Sequence, residues 1–162
     1  MRSRIHGALE TTTKRVEQMP INPYINFAGT CREAVEYYAE VFHTEKPQLM
    51  TFGEMPPDPN FTLPEGAKNL VLHAQLEISG TAVMFSDVFP GMEFTVGNNV
   101  TLAVMSTNRD EILNEFNRLR EGGTVQMNLQ ETFWSKLYGS VVDKYGILWQ
   151  FNLDSGETFP RA

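Results

Sequence analysis

His73, Gln75 and Glu77 occupy alternate positions of "KNLVLHAQLEI", so a strand there presents all three on one face. Imidazole and carboxylate are donors that hold divalent ions. Along a strand, however, His73 and Glu77 stand about 13 Å apart at ~3.3 Å per residue, too far to share one ion. The other combination is His73 with Asp87 across the following hairpin, as a metal pair or as an acid–base pair. The ordinary reading of His73 is a polar strand residue bonded to a neighbour. His6 lies in the opening segment and His43 just past a helix, so neither adds to a site. Cys31 opens that helix, where the N-terminal dipole can activate a thiol. It also sits on the apolar stripe, which favours a place in the core. Ser140, in "YGSVVD", has neither the Gly-x-Ser-x-Gly elbow nor an evident histidine partner.

Neutral and aromatic groups are more numerous. Phe133, Trp134, Tyr138 and Trp149, with Tyr24, could line an apolar pocket edged by carboxamides. Trp149 shares a strand face with Ile147 and Phe151 and reads as core, whereas Trp134 and Tyr138 lie in a less regular stretch that suits core or pocket. Methionines such as Met84, Met105 and Met127 would fill such a space adaptably.

The elements that must position these residues form a repeat. The strand "INPYINF" precedes a helix over about Cys31–Phe42, whose Thr30 and Glu33 have capping-box spacing. Strands follow in "KPQLMTFGE", "KNLVLHAQLEI" and "TAVMFSDVF". The first two are separated by the Pro-rich loop Met55–Pro64 and the last two by the hairpin turn Ser79-Gly80. The order recurs with "NVTLAVMS", a helix capped by Asn108 and ended by Gly122-Gly123, and strands in "TVQMNLQET", "LYGSVVDK" and "ILWQFNLD". The predicted fold is α+β: two βαβββ modules, 21–90 and 98–155, within one domain over 20–155. Residues 1–19 are expected to be a flexible or appended extension and 156–162 a tail. Alternation assigns Ile25 and Phe27, and Val100, Leu102 and Val104, to the helix side. That leaves Asn22, Tyr24, Asn26 and Asn99 for the other face.

Bulk properties narrow the function. At 162 residues with 41% hydrophobic content the chain can bury a core. A net charge of −7 without a basic stripe argues against nucleic acid. One cysteine allows no internal disulfide, no apolar run spans a bilayer, and the polar opening segment lacks the apolar core of a secretory signal. The expected location is the cytoplasm.

The segments "PYINFAGTCREAVEYYAEVF", "HAQLEISGTAVMFSD" and above all "FWSKLYGSVVDKYGILWQFN" resemble the PhnB-like branch of the glyoxalase/bleomycin resistance/dioxygenase (vicinal oxygen chelate) superfamily. The resemblance runs from about Ile21 to Leu153. It implies curved, largely antiparallel sheet with helices on the convex face, a ligand cavity on the concave face, and homodimers. It also implies metal ligands in the first and last strand of each module. Those four positions would here hold Asn22, Met84, Asn99 and Gln150, none of them a histidine or carboxylate, so no metal and no other cofactor is predicted. A divalent metal held by unconventional ligands is the alternative. Members of the branch are often labelled methyltransferases of ubiquinone precursors, but the turns "FAGTCRE" and "STNRDE" lack the Gly-rich pattern of an S-adenosylmethionine or dinucleotide site.

The resulting expectation is a metal-free small-molecule binding protein whose ligand meets Asn22, Tyr24, Asn26, His73, Asn99, Trp134, Tyr138 and Gln150. The alternatives are an enzyme of the same fold using a metal or His73 and Asp87, and a dimeric regulatory or scaffold module.

Overall fold

A computed structural model describes residues 21–156, so the expected 1–19 extension, with His6, and nearly all of the tail lie outside the described residues. The elements run β1 (Tyr24–Phe27), α1 (Cys31–Val41), β2 (Gln48–Thr51), β3 (Val71–Ile78) and β4 (Thr81–Asp87). The second module repeats them as β5 (Leu102–Ser106), α2 (Arg109–Leu119), β6 (Thr124–Gln130), β7 (Tyr138–Val142) and β8 (Leu148–Leu153). Each module forms a four-stranded sheet, ordered β1-β4-β3-β2 in sheet one and β5-β8-β7-β6 in sheet two. The outer pairs β1–β4 and β5–β8 are parallel and the remaining pairs antiparallel.

The helices form because each carries one apolar stripe and a defined stop. In α1 the stripe is Cys31, Ala34, Val35, Tyr38 and Ala39, all buried. The helix ends where His43 turns left-handed at φ 51°. In α2 the stripe is Ile112, Phe116 and Leu119, and Asn108 caps the start by accepting from Asp110 N and Glu111 N. Gly123, just beyond, is required by close approach: a Cβ there would lie 2.4 Å from the Val142 carbonyl. Thr30 makes no side-chain cap, contrary to the capping-box expectation for α1. A carboxylate from β4 takes that task, because Asp87 Oδ1 accepts from Gly29 N at 2.8 Å and Cys31 N at 3.0 Å.

One core joins the modules. Tyr38 of α1 stacks on Phe85 of sheet one at 5.8 Å and meets Trp149 of sheet two edge-on at 5.5 Å, so the helix layer lies between the sheets. Trp149 also packs on Phe42, and Phe151 on Phe116. Helix contacts add Tyr37 Oη donating to the Arg118 carbonyl at 2.7 Å and Arg118 donating to the Glu40 carbonyl. Burial of these rings removes the largest apolar areas from water. The other face of each sheet remains open, including Tyr24, Met50 and Met105.

Glu115 is the misfit of α2. It is buried, its Oε2 has no hydrogen-bond partner, and burial together with the Glu111 carboxylate pushes its pKa up to about 7. A raised folded-state pKa gives stability that is complete below the unfolded value and is lost as pH rises through about 7. Glu115→Gln, neutral at every pH, is therefore expected to stabilise the protein at pH 8 by ~1–2 kcal/mol after solvent screening. Near pH 4.5 it should leave stability unchanged. Urea midpoints at the two pH values check this, and equal gains at both would refute the titration.

Candidate functional site

The strand registers decide which side chains share the open faces. On sheet one, Tyr24 of β1 stands opposite Met84 of β4, which stands opposite Gln75 of β3, and Gln75 opposite Gln48 of β2. The next row holds Asn26 opposite Ser86, and His73 opposite Met50. Ser86 donates to Asn26 Oδ1 at 2.9 Å, and Tyr24 Oη lies 3.5 Å from His73 Nδ1. On sheet two, Ala103, Gln150 and Ser140 form one row and Met105, Asn152 and Tyr138 the next. Gln150 thus stands on the open face, as alternation predicts.

Two first-strand assignments change. Met84 is partnered by Tyr24 and Gln150 by Ala103, which shifts the alignment of β1 with β5 by two residues. Asn22 precedes β1 and Asn99 precedes β5, so neither occupies the cross-strand position expected for it. Val100, expected on the helix side, is 74% exposed outside the strand. The physical reason is that apolar alternation is unchanged by a shift of two, so pairing alone selects the register.

His73 and Asp87 do not form an acid–base pair. His73 is exposed on the open face, whereas Asp87 points to the helix side, buried at 4%. Its two oxygens accept from the amides of Gly29, Cys31 and Val71, the last at 2.9 Å, so the carboxylate serves structure. Cys31 is fully buried. Burial, then the neighbouring Asp87, pushes its thiol up to about 12, which removes the nucleophile. Ser140 has Gln150 and Met127 as cross-strand partners. The second structural carboxylate, Asp143, accepts from Tyr38 Oη, Trp149 Nε1, Tyr145 N and Ile147 N. Residue types alone gave no signal for this hub.

The predicted ligand residues divide among three places. Tyr24, Asn26 and Asn99 line a groove of about 560 Å³ between β1, the connecting segment 94–100 and the β7–β8 turn. Ile25, Phe94, Val96, Tyr145, Ile147 and Leu148 supply its apolar wall. β1 is an edge strand, so its free edge adds unpaired backbone groups. His73 instead lines a polar groove of about 750 Å³ with Gln48, Gln75, Glu77, Glu45 and Lys46. Trp134, Tyr138 and Gln150 lie with sheet two, apart from both grooves, and Trp149 is core.

A divalent metal, which such a fold implies, finds poor donors. The cross-strand pairs offer a phenol, a thioether, a methyl group and a carboxamide, with no imidazole or carboxylate among them. Among the described residues no three His, Cys, Asp or Glu side chains group as a metal site. The donor set at those positions does not fit the ion.

Two βαβββ units, each a mixed four-stranded sheet with one helix on its inner side, define a glyoxalase-like protein of the vicinal oxygen chelate class. The chain belongs to the PhnB-like branch of that class: the family model described as 3-demethylubiquinone-9 3-methyltransferase matches residues 19–152. Protein YjdN of Escherichia coli (strain K12) is 34% identical over 141 residues, covering 83% of this chain and 95% of the relative. Protein PA1353 from Pseudomonas aeruginosa, known as a crystal structure, is 30% identical with a TM-score of 0.72, over 83% of this chain and 97% of its own. The fosfomycin resistance protein FosX from Listeria monocytogenes, 8% identical with a TM-score of 0.55 over 85% and 94% of the two chains, shares the fold alone.

Proposed function

We propose that this protein binds an uncharged, amphipathic small molecule in the groove along β1, without a metal and without covalent chemistry. The observation that carries this reading is the composition of the groove. Its wall holds aromatic and aliphatic side chains, the neutral hydrogen-bonding groups Asn26, Thr30, Thr95 and Asn99, and no carboxylate, imidazole, ammonium or guanidinium. Its volume of about 560 Å³ suits a small ligand. Among the described residues its titratable groups are the phenols of Tyr24 and Tyr145, and burial raises the Tyr145 pKa, which removes that phenol as a base near neutral pH.

The family description names a methyltransferase. What supports binding without such a cofactor is that both helix N-termini, the usual anchor for a nucleotide cofactor, already hold a side chain from within the chain. Asp87 occupies the amides at α1 and Asn108 those at α2. A homodimer accords with the open sheet faces and with the free edges of β1 and β5. A cytoplasmic location accords with the single, buried, reduced Cys31, and no helix among the described residues is long and apolar enough to cross a membrane.

A thermal-shift screen of neutral aromatic and aliphatic compounds tests the reading. Hits should raise the melting temperature of the natural sequence, and Tyr24→Ala or Ile147→Trp should weaken them at least tenfold while the protein stays folded. Hits that survive both substitutions, or a stoichiometric tightly held divalent ion in elemental analysis, would remove this function.

A further inference from the structure

The facing sides of α1 and α2 join the two modules, and polar ties run along the joint. Asn114 Nδ2 lies 3.0 Å from His43 Nε2, Arg118 donates to the Glu40 carbonyl, and Tyr37 Oη donates to the Arg118 carbonyl at 2.7 Å. At about 100° per residue, Glu115 falls between the core stripe of Ile112, Phe116 and Leu119 and the row of Asn114 and Arg118 that meets α1. It is 9% exposed, and its Oε2 is closed to solvent and accepts no hydrogen bond.

The charges around Glu115 do not favour its ionised form. On α2 its charged neighbours are Glu111, one turn back, and Arg118, one turn on. Glu111 repels a second carboxylate and accepts from Ser106 Oγ at 2.9 Å, while the Arg118 guanidinium is turned to the Glu40 carbonyl. α1 brings Glu36, Glu40 and His43. The strands that also pack on α2, β5, β7 and β8, contain no acid or base except the phenol of Tyr138, which stands in the open-face row with Asn152. A carboxylate in such a place either keeps its proton or draws in water. Burial, then the Glu111 charge, pushes the Glu115 pKa up to about 7. Solvent has a route to the joint, because Glu36, Ala39, Glu40 and His43 line a groove of about 730 Å³ at the C-terminal end of α1.

We infer that the α1–α2 joint is a pH-sensitive seam, closed while Glu115 is protonated and opening toward this groove when it ionises, with both sheets still folded. Protons favour the closed state, so the seam holds in mild acid and loosens as pH rises through about 7. It is a property of the joint and does not depend on what the β1 groove binds.

Hydrogen exchange of the full chain at pH 6 and pH 8, with each rate divided by the chemical rate at that pH, tests the seam. Protection of the amides from Phe116 to Leu119 in α2, and of Phe42 and Thr44 at the end of α1, should fall about tenfold between the two pH values. At pH 8 these amides should be at least tenfold less protected than those of Leu76 and Phe85 in the inner strands of sheet one. Glu115→Gln should abolish the pH effect, to within twofold. Imidazole is the side chain that ordinarily changes charge between pH 5 and 8, so His43→Gln is the control and should keep the effect. The Glu115 carboxyl carbon, followed by NMR, should titrate near pH 7. A midpoint below pH 5, a pH effect that survives Glu115→Gln or vanishes with His43→Gln, or equal protection of joint and sheet amides at pH 8 would overturn the seam.

Discussion

Asp143→Ala is expected to destabilise the protein by ~3–5 kcal/mol, the largest effect of any single side chain considered. The carboxylate is 3% exposed and accepts four hydrogen bonds. Two come from buried side chains: Tyr38 Oη at 2.7 Å, in module one, and Trp149 Nε1 at 2.8 Å, in module two. The other two, from Tyr145 N and Ile147 N, shape the turn that leads into β8. Alanine would orphan the hydroxyl and the indole at once, each a buried donor without water to replace the loss. Asp143→Asn should cost less, because its carbonyl still accepts, although its NH₂ opposes groups that are themselves donors. Tyr38→Phe should recover part of the loss in the Ala background, because it removes the hydroxyl left without an acceptor. Urea unfolding followed by Trp149 fluorescence measures all three. A midpoint shift under 1 kcal/mol for the Ala variant would show that Asp143 does not tie the modules together.

Asp87→Ala follows, at ~2–4 kcal/mol, through a different mechanism. Its carboxylate gathers three backbone amides that the chain supplies from separate segments: Gly29 and Cys31 at the start of α1, and Val71 at the start of β3. Cys31 N is a donor that a helix N-terminus leaves unpaired, Gly29 N lies just before the cap, and Thr30 makes no side-chain cap of its own. The favourable charge at the positive end of the helix dipole is lost as well. Hydrogen exchange should quicken at Gly29, Cys31 and Val71, and Cys31 should become more accessible to a thiol reagent. Unaltered exchange at these three amides would count against the capping role, whatever happens to global stability. The same measurement separates this role from catalysis, because a catalytic carboxylate would not hold the amide network closed.

Both carboxylates show why the site was less legible than the fold. Helical spacing in "CREAVEYYAEVF", the Ser79-Gly80 turn and the repeated order of elements are local properties, set by steric preferences and apolar periodicity within a dozen residues. Strand alternation placed Tyr24, Asn26 and Gln150 on the open faces for the same reason. Alternation has a period of two, so it left the β1–β5 alignment undecided by two residues, and Asn22 and Asn99 fell on the wrong side of that ambiguity.

The residue types and their local patterns thus determined two βαβββ modules, their helices and turns, and the scarcity of metal donors in the strands. Tertiary structure decided the rest. It turned Asp87 away from His73, made Asp143 the tie between modules, gathered Tyr24, Asn26 and Asn99 into one groove, and left Asn152 without a donor. Each of these depends on contacts between segments far apart in the chain, where burial and the need to pair every polar group select one partner among several of the same type.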